Sequence, residues 1–302
     1  MKNVLIIYYS QSGQLESIAK NISKSLLETD EVKVSFYEIQ LEKAFPFPWK
    51  SESFFDAFPE SFLQVPARIK PISSEILDQK YDLILLNYQV WYLTPSIPIN
   101  SFLKSAEAKK LLDNTPVVTI SGSRNMWIMA HEKVKVLLKN NNAALKGNIA
   151  LVDRVGNLIS VITIVEWMFS GIKKKYLGIF PLPGVSEKDI QESSKFGEVI
   201  LSSLQQDKLD SLQAQLVAID AVRISSYLVT VDKTANKIFH KWSSFLIKKE
   251  ASSRKFWLKL FKIYLLLAIW LISPIVYILH VFSYPFKINK IRKEILYYQG
   301  IQ

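Results

Sequence analysis

Cysteine is absent from this chain of 302 residues, and histidine occurs only three times. Without thiols the chain has no disulfide bond, no thiolate nucleophile and no cysteine-ligated zinc or iron–sulfur site. The three histidines lie far apart in the sequence, which is not the spacing of a histidine metal site. We therefore expect no metal ion in the functional site.

Acidic residues are scarce in the last part of the chain, which carries most of the net charge of +11. From Lys248 to the end there are ten basic residues and two acidic ones. These charges flank an uncharged apolar segment and do not form the basic stripe on a folded face that a nucleic-acid site needs. We therefore expect membrane lipid as a partner, and no nucleic acid.

A long apolar run is also missing at the N-terminus. The first run, Val4–Tyr9, has six residues and ends in a polar turn. A secretory signal peptide has a longer apolar region that leads to a small-residue cleavage site. The sequence thus predicts a cytoplasmic location for the folded part of the chain.

The same run has the composition of a buried parallel strand, and it leads directly into a turn and a helical pattern. A strand that ends at a helix N-terminus gathers free backbone N–H groups around one point, which favours a phosphate dianion. The residues of this predicted phosphate turn are Ser10, Gln11, Ser12, Gly13, Gln14 and Leu15. An ordinary strand–turn–helix without a ligand is the alternative that this stretch alone leaves open.

Four further strand patterns, at 32–37, 81–87, 116–121 and 148–153, alternate with helical ones. This alternation predicts an α/β fold with a doubly wound, five-stranded parallel sheet, in which ligands bind beyond the carboxyl ends of the strands. The loops after the third and fourth strands offer flat apolar side chains beside small residues, which suits an isoalloxazine ring. With the phosphate turn they predict FMN as cofactor, although each aromatic alone would also fit core packing. The predicted contacts are Gln89, Val90, Trp91, Tyr92, Ser121, Gly122, Arg124 and Trp127.

The phosphate turn resembles the FMN phosphate loop of flavodoxin-like proteins, except that Leu15 stands where those loops usually carry a second threonine. Together with the stretches QVWYLTPSIP, SGSRNMW and FPLPGVSEKDI, it resembles flavodoxin-like proteins of dialkylresorcinol biosynthesis, known as dialkylresorcinol condensing enzymes. The resemblance covers roughly residues 1–205.

That resemblance implies a flavodoxin-like fold and an FMN-dependent aromatase. The implied reaction is the oxidation of a lipophilic substrate, a 2,5-dialkylcyclohexane-1,3-dione, to a 2,5-dialkylresorcinol. It also implies a role beside a ketosynthase in aryl-polyene or flexirubin-type pigment pathways. Flavodoxin-like reductases are often oligomers, so a homo-oligomer is possible by resemblance, but no pattern in the sequence decides this.

Four residues near the predicted site are candidates for the chemistry. Arg124 could hold an enolate oxygen while Asn125 orients it, or it could pair with a surface carboxylate. His131 could relay a proton, or it could be a satisfied packing histidine. Asp153 could serve as a base at the end of the fifth strand, or it could pair with Arg154.

The predicted organisation has three parts: a flavodoxin-like FMN domain at 1–205, a helical extension at 206–254 and a membrane-attachment segment at 255–302. The insertion at 41–71 is dense in phenylalanine and proline. It is either an irregular segment that packs aromatic side chains on the domain, or a hydrophobic lid or membrane-contacting loop. Lys173, Lys174 and Lys175 form either a second membrane contact or a solvated helix end.

The segment Ile263–Phe286 has 24 residues without a charged side chain, and as one helix it would be about 36 Å long, enough to cross a bilayer. Both flanks are basic, so charge cannot orient a crossing, and Pro274 interrupts the helix hydrogen bonds. Attachment to the inner face of the membrane without crossing, a single crossing and a buried soluble helix all remain open.

Two other functions fit the same sequence. A membrane-associated NAD(P)H-dependent FMN or quinone reductase would use the same cofactor site. A flavin-free scaffold that recruits a ketosynthase to the membrane would also explain the fold and the tail, and it would tolerate Leu15.

Overall fold

A computed structural model describes all 302 residues and shows five parallel strands in the order β2-β1-β3-β5-β6. This is the flavodoxin-like order, so the predicted doubly wound parallel sheet is confirmed. A short strand, β4, pairs antiparallel with the end of β3. The strands are β1 Lys2–Tyr8, β2 Val32–Glu38, β3 Leu83–Trp91, β4 Thr94–Pro95, β5 Pro116–Ser123 and β6 Ala144–Val152.

Two strands differ in their ends from the sequence patterns. The predicted third strand ended at Asn87, but β3 continues to Trp91 because its last residues form a hairpin with β4. The predicted fifth strand covered 148–153, but β6 begins at Ala144, which pairs with the first residue of β5. Asp153 lies just beyond β6, where a loop begins.

Twelve α-helices connect and cover the sheet up to residue 218. The sheet is buried on both faces, as parallel sheets require, so alternate residues of β1 enter two separate cores. Val4 and Ile6 pack with helices α1, α11 and α12, whereas Leu5 and Ile7 pack with α6, α7 and α8. The helices are α1 Gln14–Ile22, α2 Lys24–Leu27, α3 Ser51–Asp56, α4 Phe58–Phe62, α5 Ser74–Leu77, α6 Ile97–Leu103, α7 Ala106–Leu112, α8 Ile128–Asn140, α9 Asn157–Ser170, α10 Glu187–Gln191, α11 Ser194–Gln205 and α12 Leu212–Ala218, with 3-10 turns at Tyr176–Gly178 and Leu209–Ser211.

The packing of the sheet does not stop at residue 205. Leu212 and Leu216 of α12 are fully buried against β6, and Gln213 accepts a hydrogen bond from the backbone N–H of Asn148 at 2.7 Å. Helix α12 thus covers the β6 end of the sheet, although it belongs to the stretch that the sequence pattern assigned to the extension.

The aromatic insertion contains two short helices, α3 and α4, in place of a wholly irregular segment. Phe58 and Phe62 of α4 are buried in a third apolar cluster, which they share with Phe239 and Phe261 from the C-terminal helices. The Phe58 and Phe261 rings stack at 4.0 Å. The insertion therefore holds the C-terminal part of the chain on the domain.

The C-terminal part consists of helix α13, Ser226–Leu246, and of a long helix made of α14, Ala251–Leu267, a π-helical stretch, Ala268–Ile272, and α15, Ser273–Gln299. The π-helical stretch directly precedes Pro274, which has no N–H and whose ring would clash with the carbonyl four residues earlier in a regular helix. The wider turn accommodates the proline and allows the helix to bend.

Helix α14 runs antiparallel to α13, because Phe239 packs on Phe261 and Tyr227 contacts Ser273. A straight continuation would place Glu294 about 31 Å beyond Ser273, past the start of α13. The Glu294 carboxylate instead lies 2.8 Å from the ammonium of Lys233, inside α13. The long helix therefore bends between residues 273 and 294, so that its last part lies against α13.

Both ends of the long helix contact the α/β domain. Near its start, Arg254 forms ion pairs with Asp56 and Glu60 of the insertion. At its end, Tyr298 is buried in the sheet core, and Tyr297 donates a hydrogen bond to Glu132 at 3.0 Å. The apolar segment between these ends forms the exposed apex of a bent helix, and its most apolar window has no buried residue.

Candidate functional site

The phosphate turn lies where β1 ends and α1 begins. None of the backbone N–H groups from Gln11 to Glu16 donates a hydrogen bond within the protein, and α1 has no side-chain cap. Gly13 holds a left-handed conformation with φ of 80° and has open space above it. Consecutive free N–H groups at a helix N-terminus form an anion-binding concavity.

Three side chains of this turn have roles in packing. Leu15 is buried, and its Cδ1 atom lies 3.0 Å from the place where a Cβ on Gly122 would stand, so the glycine is needed for this close approach. Gln14 bonds both backbone groups of Val185, at 3.0 and 3.1 Å. Gln11 donates to the carbonyl of Pro46 at 3.1 Å. Leu15 and Gln14 can therefore offer a phosphate only their backbone N–H groups.

Two carboxylates near the turn, Glu38 and Glu16, would repel a bound anion. The raised pKa of Glu38 and the ion pair of Glu16 reduce this repulsion. Burial raises the pKa of Glu38 above its ordinary value, and the charge of Glu16 raises it further, while a hydrogen bond from the Ser10 backbone opposes the shift. Lys20 forms an ion pair with Glu16 at 2.5 Å. The attraction for a phosphate must come mainly from the backbone.

The loop after β3 is a tight hairpin whose tip turns away from the phosphate turn. Tyr92 and Leu93 form the two-residue turn and both have positive φ, at 50° and 61°, which is strained for side chains of this size. The hydroxyl of Tyr92 donates to the carbonyl of Phe54 at 2.5 Å, and Leu93 is buried in the third cluster. Trp91 stays at the sheet edge, 6.4 Å from the ring of Tyr9.

The insertion forms an aromatic wall over this edge. Trp49 is buried, and its ring and that of Phe45 both contact the Trp91 ring, at 5.4 and 5.1 Å. The backbone N–H of Trp49 donates to Met168 of α9 at 2.8 Å. Phe45, Trp49 and Trp91 thus form one aromatic cluster at this edge, to which the insertion contributes as much as the hairpin does.

The loop after β5 is held by Asn157, the first residue of α9, which the sequence patterns did not single out. Arg124 donates through Nη1 to the backbone carbonyl of Asn157 at 3.0 Å and to its Oδ1 atom at 2.9 Å. Asn125 donates through Nδ2 to the same Oδ1 at 3.0 Å. Arg124 makes no ion pair within 4.0 Å, so the surface pairing considered from the sequence is not formed.

Burial lowers the pKa of Arg124 to about 10, which leaves the side chain charged at neutral pH. The charge of Asp153 opposes this shift. Since Nη2 of Arg124 has only the sulfur of Met126 at 3.8 Å as a partner, the guanidinium retains capacity to donate.

Several buried oxygens at the carboxyl ends of β3 and β5 have no hydrogen-bond partner in the protein. Unpaired buried polar atoms are costly and mark places where a ligand or solvent completes the bonding. They belong to one edge of the sheet, the edge at which the three predicted loops meet. These atoms are Gln89 Oε1, Ser123 Oγ and Asn125 Oδ1.

His131 lies in the interior, one helical turn into α8. Its Nδ1 atom is 3.2 Å from the hydroxyl of Tyr88, and its ring packs on Trp127 at 5.8 Å, while Nε2 has no partner. Burial lowers the pKa of His131 to about 3, and the charge of Lys135 lowers it further. The imidazole is therefore neutral at physiological pH.

Asp153 is buried, and each of its carboxylate oxygens accepts one hydrogen bond. One carboxylate oxygen accepts from the backbone of Val155 at 3.0 Å and the other from the hydroxyl of Ser160 at 2.7 Å. Arg154 pairs with Asp189 at 2.9 Å, so the pairing with Asp153 considered from the sequence is not formed. Asp153 fixes the loop that leads into α9.

Helix α13 reaches this region through a carboxylate. Asp232 is almost fully buried and accepts from the backbone N–H of Met129, at the N-terminus of α8, at 3.1 Å. Burial raises the pKa of Asp232 to about 6, while its bonds to the α8 backbone and the charge of Lys133 oppose the rise. A partly charged carboxylate at a helix N-terminus is favourable, so α13 and the β5 loop are energetically linked.

A cavity of about 710 Å³ lies beside the β5 loop. Asn125, Trp127 and Asp153 line it, but no residue of the phosphate turn or of the β3 loop does. Its other walls come from α9, from the start of α13 and from the bend of the long helix at Pro274. Sequence patterns pointed to Pro274 as a helix interruption and gave no indication that it borders a cavity.

No family model and no curated protein matches the chain. Among solved structures it is similar to a flavoprotein in complex with FMN from Lactobacillus acidophilus, with 19% identity over 50% of this chain and 93% of that one and a TM-score of 0.39. It is also similar to a short-chain flavodoxin associated with a PDU bacterial microcompartment, with 11% identity over 68% and 99% of the two chains and a TM-score of 0.38. The fold assignment rests on the strand order.

We predict that His131 contributes to destabilisation by acid. Its pKa is about 3 in the folded protein and ordinary, near 6.5, in the unfolded chain. Between these values the unfolded chain binds a proton that the folded protein does not, so the free energy of unfolding decreases as the pH falls, by up to about 1.4 kcal/mol per pH unit. Urea unfolding between pH 6 and 4.5 should show a weaker pH dependence for His131→Gln. The exposed His240→Gln should behave like the wild type, and equal slopes for all three proteins would contradict the prediction.

Proposed function

We propose that this protein is an FMN-dependent oxidoreductase. The observation that carries the proposal is the run of unpaired backbone N–H groups from Gln11 to Glu16 at the end of β1, in a sheet of flavodoxin-like order. Neutral donors and a helix N-terminus suit the phosphate of a mononucleotide.

The chain's residues fit this cofactor. The phosphate turn would hold the phosphate, with the exposed Ser12 hydroxyl as an additional donor. Trp91 with its aromatic neighbours Phe45 and Trp49 supplies apolar surface, and the unpaired Gln89 oxygen supplies an acceptor for a ring N–H group. Of the predicted FMN contacts, Tyr92 is the least able to bind the flavin, since its hydroxyl is bonded to the carbonyl of Phe54.

The phosphate turn should make the protein prefer FMN to riboflavin, which has the same ring and no phosphate. Ser12→Asp places a negative charge in the turn, and we expect it to weaken FMN binding at least tenfold while riboflavin binding changes little. Fluorescence titration of the two flavins measures this. Ser202→Asp, on the exposed face of α11, is the matched control and should bind FMN normally. Equal affinity of the wild type for both flavins would refute the assignment of the turn.

We further propose that the apex of the bent helix attaches the protein to the inner face of the membrane. One helix of the chain, 251–299, is long and apolar enough to cross a bilayer. Both ends of this helix contact the α/β domain while its apolar middle is exposed, which favours an arrangement that enters one leaflet and returns. The exposed apolar residues of the apex would lie among the acyl chains, and the lysines of the flanks near anionic headgroups.

Removing residues 255–302 would also remove Phe261 and Tyr298 from the cores, so point changes test attachment better. Leu271, Ile275 and Leu279 are each more than half exposed at the apex. Their joint replacement by glutamate should move the protein from the membrane pellet to the soluble fraction with its flavin retained, because charged groups are costly in the acyl region. Leu296→Glu, an equally exposed change outside the apex, should leave the protein in the pellet. A soluble wild type would contradict the anchor.

The reaction that we propose is the oxidation of a 2,5-dialkylcyclohexane-1,3-dione to a 2,5-dialkylresorcinol, with a ketosynthase as the partner that supplies the dione. The conversion removes two electrons and two protons from the ring, and bound FMN would supply the two-electron acceptor. Alkyl chains partition into lipid at about 0.8 kcal/mol per methylene, so a membrane-attached protein meets this substrate where it accumulates.

The chain's own part is to bind and orient the dione. A 1,3-dione is acidic and exists largely as its enol or enolate, whose oxygens need donors and acceptors at fixed positions. Asn125 lines the cavity, and Arg124 fixes its side chain through Asn157. Arg124 is therefore a positioning residue in this proposal, and neither neutral His131 nor Asp153 is required as a base.

Anaerobic reduction of the protein-bound flavin distinguishes the proposed reaction from its alternatives. A dialkylcyclohexane-1,3-dione should bleach the flavin absorbance within one turnover and yield the resorcinol, whereas NAD(P)H should bleach it slowly or not at all. Bleaching by NAD(P)H alone would show a reductase. Purified protein that holds no flavin even after incubation with FMN would show the scaffold function.

A further inference from the structure

The cavity of about 710 Å³ lies between the α/β domain and the bend of the long helix. Its volume is within the range of small-molecule sites, roughly 300–1,000 Å³. Ten of the nineteen residues that line it are hydrophobic. It therefore has the size and surface of a site for an apolar ligand, at a place that the sequence patterns did not indicate.

Asn125 lines the cavity beside the β5 loop, and its side chain is held in place. It is 9% exposed, its Nδ2 atom donates to Asn157, and Arg124 donates to the same Asn157 oxygen. The Oδ1 atom of Asn125 is itself covered, so this side chain gives the cavity a fixed wall at the β5 loop.

The outer end of the cavity is bordered by the apolar segment. Pro274 and Tyr277 of the long helix line one side, and Leu158 and Ile159 at the start of α9 line the other. Ile159 and Tyr277 are 41% and 52% exposed, and the apolar surface continues along the exposed apex at Ile275 and Ile278. The cavity thus opens onto the part of the surface that faces lipid if the apex is inserted.

We propose that this cavity takes up the alkylated ring of the substrate directly from the bilayer, with the ring beside Asn125 at the β5 loop and an alkyl chain lying between α9 and the helix bend. The inference rests on the proposed oxidation of an alkylated ring. The β5 loop forms a wall of the cavity and also borders the predicted flavin site, so a ring bound at Asn125 lies next to the cofactor loops.

Binding of 4-hexylresorcinol to the full-length protein in detergent tests the site without turnover. Calorimetry should give binding for 4-hexylresorcinol and at least tenfold weaker binding for resorcinol, which lacks the chain. Leu228→Trp, which fills the cavity, should abolish binding, while Val136→Trp on the exposed face of α8 should not change it.

Spin labelling tests the route from the bilayer, and the absence of cysteine makes each label unique. Ile159→Cys, Ile275→Cys and Val136→Cys would be labelled with a nitroxide and studied in phosphatidylcholine–phosphatidylglycerol vesicles. The labels at 159 and 275 should be relaxed more by oxygen, which concentrates in lipid, and the label at 136 more by a water-soluble nickel complex. A label at 159 that responds like the one at 136 would overturn the route.

The outcomes separate the inference from the proposed function. If the dione bleaches the flavin normally and Leu228→Trp still binds 4-hexylresorcinol as the wild type does, the cavity proposal is wrong and the proposed reaction stands. If binding of 4-hexylresorcinol requires its alkyl chain and is abolished by Leu228→Trp, but the dione does not bleach the flavin, the cavity proposal stands and the proposed reaction is wrong. Because Leu228 is half-buried, its replacement could destabilise the fold, so the thermal unfolding midpoint of Leu228→Trp must match that of Val136→Trp. If the midpoints differ, Ile159→Trp at the rim of the cavity is used in place of Leu228→Trp. It should weaken binding of 4-hexylresorcinol at least fivefold.

Discussion

The structure depends on a parallel sheet that must be covered on both faces. Because its strands are apolar on both sides, helices pack on each face of the sheet. Because the strands are parallel, the loops that follow them all lie at one edge, beyond the carboxyl ends. That edge gathers the phosphate turn, the β3 hairpin and the β5 loop. The free N–H groups after β1 and the unpaired oxygens after β3 and β5 lie there together, so the chemistry of the site follows from how the sheet is buried.

The C-terminal helices are part of this arrangement and are not a separate appendage. Asp232 of α13 caps α8, Phe261 of α14 stacks on Phe58 of the insertion, and Tyr298 of α15 enters the sheet core. Attachment of the tail therefore positions the β5 loop and the aromatic wall. The tail also creates a cavity that the α/β domain alone would lack, because the bend at Pro274 supplies one of its sides.

Much of the fold was predictable because it depends on local pattern. The strand compositions, the alternation with helices and the uncharged 24-residue segment are properties of neighbouring residues, and they predicted the sheet and the long apolar helix. The same patterns located the turn and loops of the candidate site. They could not assign roles to Arg124, Asp153 or Leu15, because each role depends on a distant partner: Asn157, Ser160 or Gly122.

The sequence by itself determined the α/β class, the position of the phosphate turn and the presence of a basic-flanked apolar segment, since periodicity and composition decide these. The tertiary structure alone decided that the long helix bends back onto α13, that Tyr92 turns toward the insertion and that Asn125 borders a cavity. These features arise from contacts between residues far apart in the chain, such as Lys233 with Glu294 and Tyr92 with Phe54. Such contacts leave no periodic trace in the sequence, because only the folded packing brings the partners together.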